Sequence, residues 1–219
     1  MPMIQDENII NEYWDFLSQK GFPCVAAKAT LARNHIKSMV VNHMACPAQD
    51  SEVLNFMYDF VDNYRASGNS YHSAAVIFKE PLQSDEKVFD QLLWQRLKAL
   101  AALDKLNYPH DDRVDADPSS PRYSFSLKKE AFFIVGLHPA SARKSRRFKY
   151  PALIFNPHAE FEKLRRLNRY DKMKEVVRKR DVDYSGSVNP ILDDFGNSSE
   201  VNQYSGMRHD SDWICPLSH

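Results

Sequence analysis

The sequence predicts an α+β fold: a mixed, mainly antiparallel sheet packed with helices, in a single domain over residues 1–219, with an irregular C-terminal wrap. Three observations predict it. Segments with apolar residues at helical spacing and short β-like runs mix along the chain without strict βαβ alternation. Three β-like runs follow one another between residues 123 and 155. From Tyr184 onward periodicity fades, yet Phe195, Tyr204 and Trp213 remain, and such aromatics favour burial.

Asp6 is a candidate cap for a first helix whose apolar face is Ile9, Ile10, Tyr13, Phe16 and Leu17, running to Gly21. Pro23, in "GFPCVAAKA", breaks that pattern. "IKSMVV" (36–41) reads as a strand. Ser51 is placed to cap a second helix with Val53, Leu54, Met57, Phe60, Val61 and Tyr64 on one face. "SAAVIF" (73–78) is a β-run, and Ser84 opens a third helix whose acidic first turn suits the helix dipole. "NYPHDDRVDADPSSPR" is a loop by its Pro, Asp and Ser content. "YSFSL", "AFFIVGL" and "ALIF" follow as strands. The last two lack polar alternation, so both faces are expected to be covered. "NPHAEFEKLRRL" opens a fourth helix with Pro157 in its first turn, and "YDKMKEVVRKRD" makes a fifth.

Composition narrows the function. The 219 residues hold 29 Lys+Arg against 29 Asp+Glu, a formal net charge of zero that argues against general nucleic-acid binding. No apolar run approaches a membrane span, and the acidic, polar start is unlike a signal peptide. Three cysteines in neither CxxC nor zinc-ligand spacing fit a reducing cytoplasm. No GxGxxG or P-loop is present.

The stretch with most chemistry is "FIVGLHPASARKSRRFKYPALIFNPH" (133–158). His138 follows one apolar run and His158 another. If the runs pair as a hairpin, about five residues at ~3.4 Å each hold the two histidines roughly 17 Å apart or more. One metal ion could not take both, but either could be an axial haem ligand; a hydrogen-bonded histidine at a strand end is the plain alternative. Between them lie Ser141, Arg143, Lys144, Arg146, Arg147 and Lys149. Arginine grips carboxylates and phosphates bidentately, so this loop suits haem propionates, a phosphate or an RNA backbone, or it is a solvated turn. Cys24 in "FPC" and Cys215 in "CP" are either thiolate ligands or small buried residues. Asp193, Asp194 and Glu200, near Asn189, Ser199, Gln203 and Tyr204, could receive a planar guanidinium or cap turns.

Taken together, "FPC", "FFIVGLHPASARKSRRF", "ALIFNPHAEFEKLR", "RDVDYSGSVNPILDDFG", "SSEVNQYSG" and "WICP" resemble the YqcI/YcgG family of FPC/CPF-motif proteins from about Gly21 to Pro216. The C-terminal motif departs from the pattern: Leu217 stands where the family has Phe. The resemblance implies haem b and O2-dependent N-hydroxylation of a guanidine group in arginine or an arginine-derived molecule, with an electron donor as partner. His138 is then the expected axial ligand with His158 as rival. Ser141, Arg143, Arg146 and Arg147 are expected around the cofactor, with Cys24 beside it, and Asp193, Asp194 and Glu200 at the substrate. A non-enzymatic haem carrier or redox/gas sensor is the second class, distinguished by having no need of the carboxylates. A phosphorylated ligand or RNA on the Arg loop is the third.

Overall fold

The computed structural model describes residues 2–68, 70–191, 193–210 and 212–218. Its centre is one five-stranded sheet in the order β1-β2-β5-β4-β3, with β1 Ile36–His43, β2 Ser73–Glu80, β3 Phe125–Leu127, β4 Glu130–Leu137 and β5 Ala152–Pro157. β1 and β2 are parallel, joined through α3 (Asp50–Ser67). The other three neighbouring pairs are antiparallel, so the sheet is mixed and mainly antiparallel.

Both faces are covered, as the unbroken apolar runs require. Alternate residues of β2 serve different cores. Ala74, Val76 and Phe78 join α3 and α4 (Glu86–Asp104), while Ala75 and Ile77 join α1 (Pro2–Ser18). Helix α4 lies so close to β4 that a Cβ on Gly136 would come 2.8 Å from Phe89 Cε1 and 2.9 Å from Leu93 Cδ1. Only glycine admits that approach.

Several boundaries differ from the sequence reading, each for a local reason. Helix α1 begins before Asp6, which is not a cap; its carboxylate pairs with Lys79 at 2.7 Å. The segment after Pro23 is a helix, α2 (Val25–Ala32), because the Cys24 thiol caps it, accepting from the Ala27 N–H at 3.4 Å. A 3-10 turn at Pro47–Gln49 runs straight into α3, so its cap position is Gln49 and not Ser51. Asp85, not Ser84, caps α4, accepting from the Val88 N–H at 2.7 Å.

The β3–β4 hairpin turns through Lys128 and Lys129, both at positive φ (51° and 57°). Two-residue turns of this kind favour Asn-Gly. Here the turn is held from outside. Arg65 donates to the carbonyls of Lys128 (3.1 Å) and Lys129 (2.8 Å), and the Lys128 N–H donates to Asp104 at 3.0 Å. Helices α5 (His158–Arg166), α6 (Tyr170–Ser185) and α7 (Val201–Tyr204) follow β5. The irregular C-terminal wrap docks through its aromatics. Tyr204 is fully buried 5.9 Å from Trp94, and Trp213 packs 5.5 Å from the same ring. No helix among the described residues is long and apolar enough to cross a membrane.

Candidate functional site

The β4–β5 register pairs Leu137 with Ala152 and Phe132 with Pro157, so His138 and His158 leave the hairpin at opposite ends. Five residue steps of ~3.4 Å put roughly 17 Å between those ends.

At one end, His138 is 0% exposed and stacks on Phe89 at 4.2 Å. Neither of its ring nitrogens has a hydrogen-bond partner among the described residues. Burial, reinforced by the Arg146 cation, pushes its pKa down to about 4, so the ring is neutral.

The basic loop beside His138 turns the guanidinium groups of Arg143 and Arg146 inward and folds that of Arg147 back onto its own carbonyls. Arg143 pairs with Asp181 of α6 at 2.6 Å and donates to the Ser187 carbonyl at 2.6 Å. Arg146 is buried, donates to the Tyr204 carbonyl at 3.0 Å and lies against Gly206. Arg147 donates to the carbonyls of Ser141 (2.8 Å) and Ala142 (3.2 Å), and Lys149 pairs with Glu12 at 2.8 Å. The Ser141 hydroxyl accepts from the Arg143 N–H at 3.3 Å. Cys24 belongs to the α1/α2 core and Cys215 to the opposite one; both thiols are free, and burial raises the pKa of each.

At the other end, His158 is the first residue of α5 and 6% exposed. Its Nδ1 lies 3.2 Å from Ser124 Oγ. Ser124 donates to Glu200 Oε1 at 2.7 Å, and Tyr204 donates to the same oxygen at 2.6 Å while accepting from the Phe125 N–H at 3.0 Å. Nε2 of His158 is 3.4 Å from Glu162, whose carboxylate also pairs with Arg165. Burial first, with Arg165 and Arg113 nearby, pushes the pKa of His158 down to about 4. Burial pushes that of Glu200 up to about 8.

His158 lines a cavity of about 490 Å³ shared with Arg113, Arg122, Arg165, Arg166 and Phe195. That volume lies inside the roughly 300–1,000 Å³ of small-molecule sites. Arg113 is held by Asp111 and Glu130, whereas Arg122 and Arg166 are exposed and make no ion pair among the described residues. A second, smaller space of about 100 Å³ shares His158, Arg165 and Phe195, and adds Phe133, Phe161, Tyr170, Asp193, Glu200 and Gln203. Gln203 Oε1 is buried there without a partner among the described residues. The guanidinium of Arg165 lies 4.4 Å from the ring centre of Tyr170 and 5.7 Å from that of Phe195.

The three acidic residues do not converge. Asp193 and Glu200 line the small space, with Asp193 accepting from Ser198 (2.7 Å) and Asn197 (3.1 Å), contacts that hold its pKa down. Asp194 pairs with Lys174 of α6 at 2.8 Å. Sequence reasoning passed over Ser124, Arg113, Arg122, Arg165 and Arg166. One signal was present: His158, Glu162, Arg165 and Arg166 recur at helical spacing and so share a face of α5.

The described residues contain no group of three or more His, Cys, Asp and Glu able to hold a bare metal ion. The donor set around His158 is a single imidazole, which is what haem iron asks of a protein, beside cations matched to propionates. The residues at His158 therefore fit haem.

The sequence model of the YqcI/YcgG family matches residues 13–218. A protein of Bacillus subtilis (strain 168) named "Uncharacterized protein YqcI" is 28% identical over 210 residues, covering 91% of this chain and 81% of that protein. No solved structure matches the chain.

Proposed function

This chain belongs to the YqcI/YcgG family, and from that premise we propose that it is a haem-dependent, oxygen-using N-hydroxylase of a guanidine group in arginine or an arginine-derived small molecule. The observation that carries the reading is one buried imidazole, His158, shared by two adjoining spaces. The larger is edged by the cations Arg122 and Arg166, and the smaller by aromatic rings and carboxylates.

In this reading His158 holds haem b, and Arg122 and Arg166 bind its propionates. Bound haem supplies the activation of O2 with electrons from a donor; the chain supplies binding, orientation and exclusion of water. Asp193 and the unpartnered Gln203 Oε1 accept N–H groups of the substrate guanidinium. Tyr170 and Phe195 offer ring faces, a role favoured by their contact with Arg165, which is itself a guanidinium. A cytoplasmic setting belongs to the same proposal, supported by three free cysteines.

The test is reconstitution with hemin, followed by mass spectrometry of arginine and alkylguanidines incubated with reduced protein, O2 and a reductant. A Soret band with histidine-type features lost in His158→Ala, together with a gain of one oxygen on a guanidine, is expected. No Soret band, or retention of those features in His158→Ala and their loss in His138→Ala, would overturn the assignment of His158. Intact haem without product across the panel would favour a carrier or sensor.

A further inference from the structure

His158 is one member of a buried hydrogen-bond chain, and the order of donors in that chain determines which of its ring nitrogens carries the proton. The order can be read from the fixed end. The Phe125 backbone N–H can only donate, and it donates to Tyr204 Oη at 3.0 Å. The tyrosine has one proton, and Glu200 Oε1 at 2.6 Å is its close acceptor. Ser124 Oγ lies 2.7 Å from that same carboxyl oxygen and gives its only proton to it. Ser124 then has lone pairs but no proton left for its other neighbour, Nδ1 of His158 at 3.2 Å. A hydrogen bond there requires the proton on Nδ1. This order holds while Glu200 is ionised or carries its proton on Oε2; a proton on Oε1 would turn the Ser124 hydroxyl toward Nδ1, and the two hydroxyls directed at Oε1 disfavour that position.

We propose that Ser124 is the positioning residue that locks His158 as the Nδ1–H tautomer, with Glu200 and Tyr204 holding the Ser124 hydroxyl in its accepting sense, against the competing pull of the Glu162 carboxylate, which lies 3.4 Å from Nε2 but is engaged by Arg165, so that the Nε2 lone pair faces the cavity. This rests on His158 being the cofactor-facing residue for its use, but not for its truth. The lock is a property of the folded chain alone. It is also the arrangement that suits a ligand: histidines that bind iron or zinc commonly donate their remote N–H to an oxygen, which fixes the ring and raises the basicity of the other nitrogen. Ser124 and Glu200 lie 76 residues apart in sequence and are both buried, at 0% and 4% exposure. A buried polar group left without its partner is costly, so the chain is expected to persist as a unit.

The experiment is 15N NMR of the histidine rings in the haem-free protein at pH 7, with the His158 signals assigned by their loss in His158→Gln. The Nδ1–H form should exceed the Nε2–H form by roughly five- to tenfold, the ratio one buried hydrogen bond sustains. Ser124→Ala should collapse that preference, and Ser124→Thr, which keeps a hydroxyl, should restore it. Glu200→Gln, whose amide oxygen can still accept from both hydroxyls, should preserve it. A dominant Nε2–H form in the unaltered protein would overturn the proposal even if no variant folds, as would a preference unmoved in folded Ser124→Ala. Hemin titration of the same samples separates the two readings. A Ser124-dependent lock without hemin binding sustains the lock and sinks the haem assignment. Hemin binding through His158 without a lock does the reverse.

Discussion

The guanidinium of Arg165 lies 4.4 Å above the centre of the Tyr170 ring and is paired with Glu162, so one cation is fixed between the two cavities that meet at His158. Its charge acts on the imidazole. Arg165→Ala removes a neighbour that lowers the pKa of His158, so the NMR titration midpoint of that ring should move up from about 4, with burial still holding it below the ordinary 6.5. An unmoved midpoint would leave burial and Arg113 as the causes.

Glu200 should make the fold sensitive to alkali. Its carboxyl titrates near 4.5 in the unfolded chain and near 8 in the folded one. Between those values the native chain holds a proton that the unfolded chain has released. Its contribution is therefore fully present below pH 4.5 and is lost as pH rises toward 8, by at most ~1.4 kcal/mol per pH unit. The difference in urea-unfolding free energy between haem-free parent and Glu200→Gln, measured at pH 5, 6.5 and 8, should follow that slope, because the subtraction removes the opposite contributions of His138 and His158.

The two groups of arginines should separate stability from ligand retention. Arg143 is paired with Asp181, both side chains largely buried at 13% and 9% exposure, so Arg143→Ala should cost roughly 1.5–3 kcal/mol in urea unfolding. Hemin off-rates, compared at denaturant-free equilibrium, should change less than twofold. The Arg122→Ala/Arg166→Ala double variant should behave oppositely: stability within about 0.5 kcal/mol of the parent, and hemin lost roughly tenfold faster. Fast loss from Arg143→Ala and none from the double variant would return the propionates to the 141–149 loop.

Lys129 sits at φ 57° in the β3–β4 turn. Left-handed backbone costs a side-chain-bearing residue about 1–2 kcal/mol, part of which glycine returns through its freer unfolded chain. Lys129→Gly should therefore raise stability by about 0.5–1 kcal/mol, read as a higher urea midpoint with an unchanged slope.

The sheet was legible because β2, β4 and β5 are buried on both faces and therefore read as unbroken apolar runs. Helix α2 was not, since its eight residues are Ala-rich and its start depends on a thiol cap rather than on Ser or Asp. His158 was legible as a histidine at a strand end. Its surroundings were not, because Arg113 and Arg122 come from a stretch that reads only as turns, Ser124 reads only as a strand residue, and closure over 34 residues brings it to Nδ1. The "SARKSRRFK" loop shows the same limit. Its charge density is plain in the sequence, but the groups that engage Arg143 and Arg146, Asp181 and the Tyr204 carbonyl, lie 38 and 58 residues away.

The β4–β5 hairpin makes the two histidines unequal under insertion and deletion. His138 opens a fourteen-residue excursion before β5, and extra length in a surface loop adds little closure entropy. His158 follows β5 without a spacer. A single residue added or removed within Ala152–Pro157 would reverse which face each later strand residue presents and would rotate the start of α5 with it. Natural or engineered length variation should therefore collect between His138 and the start of β5, while the count of residues from Ala152 to His158 stays fixed.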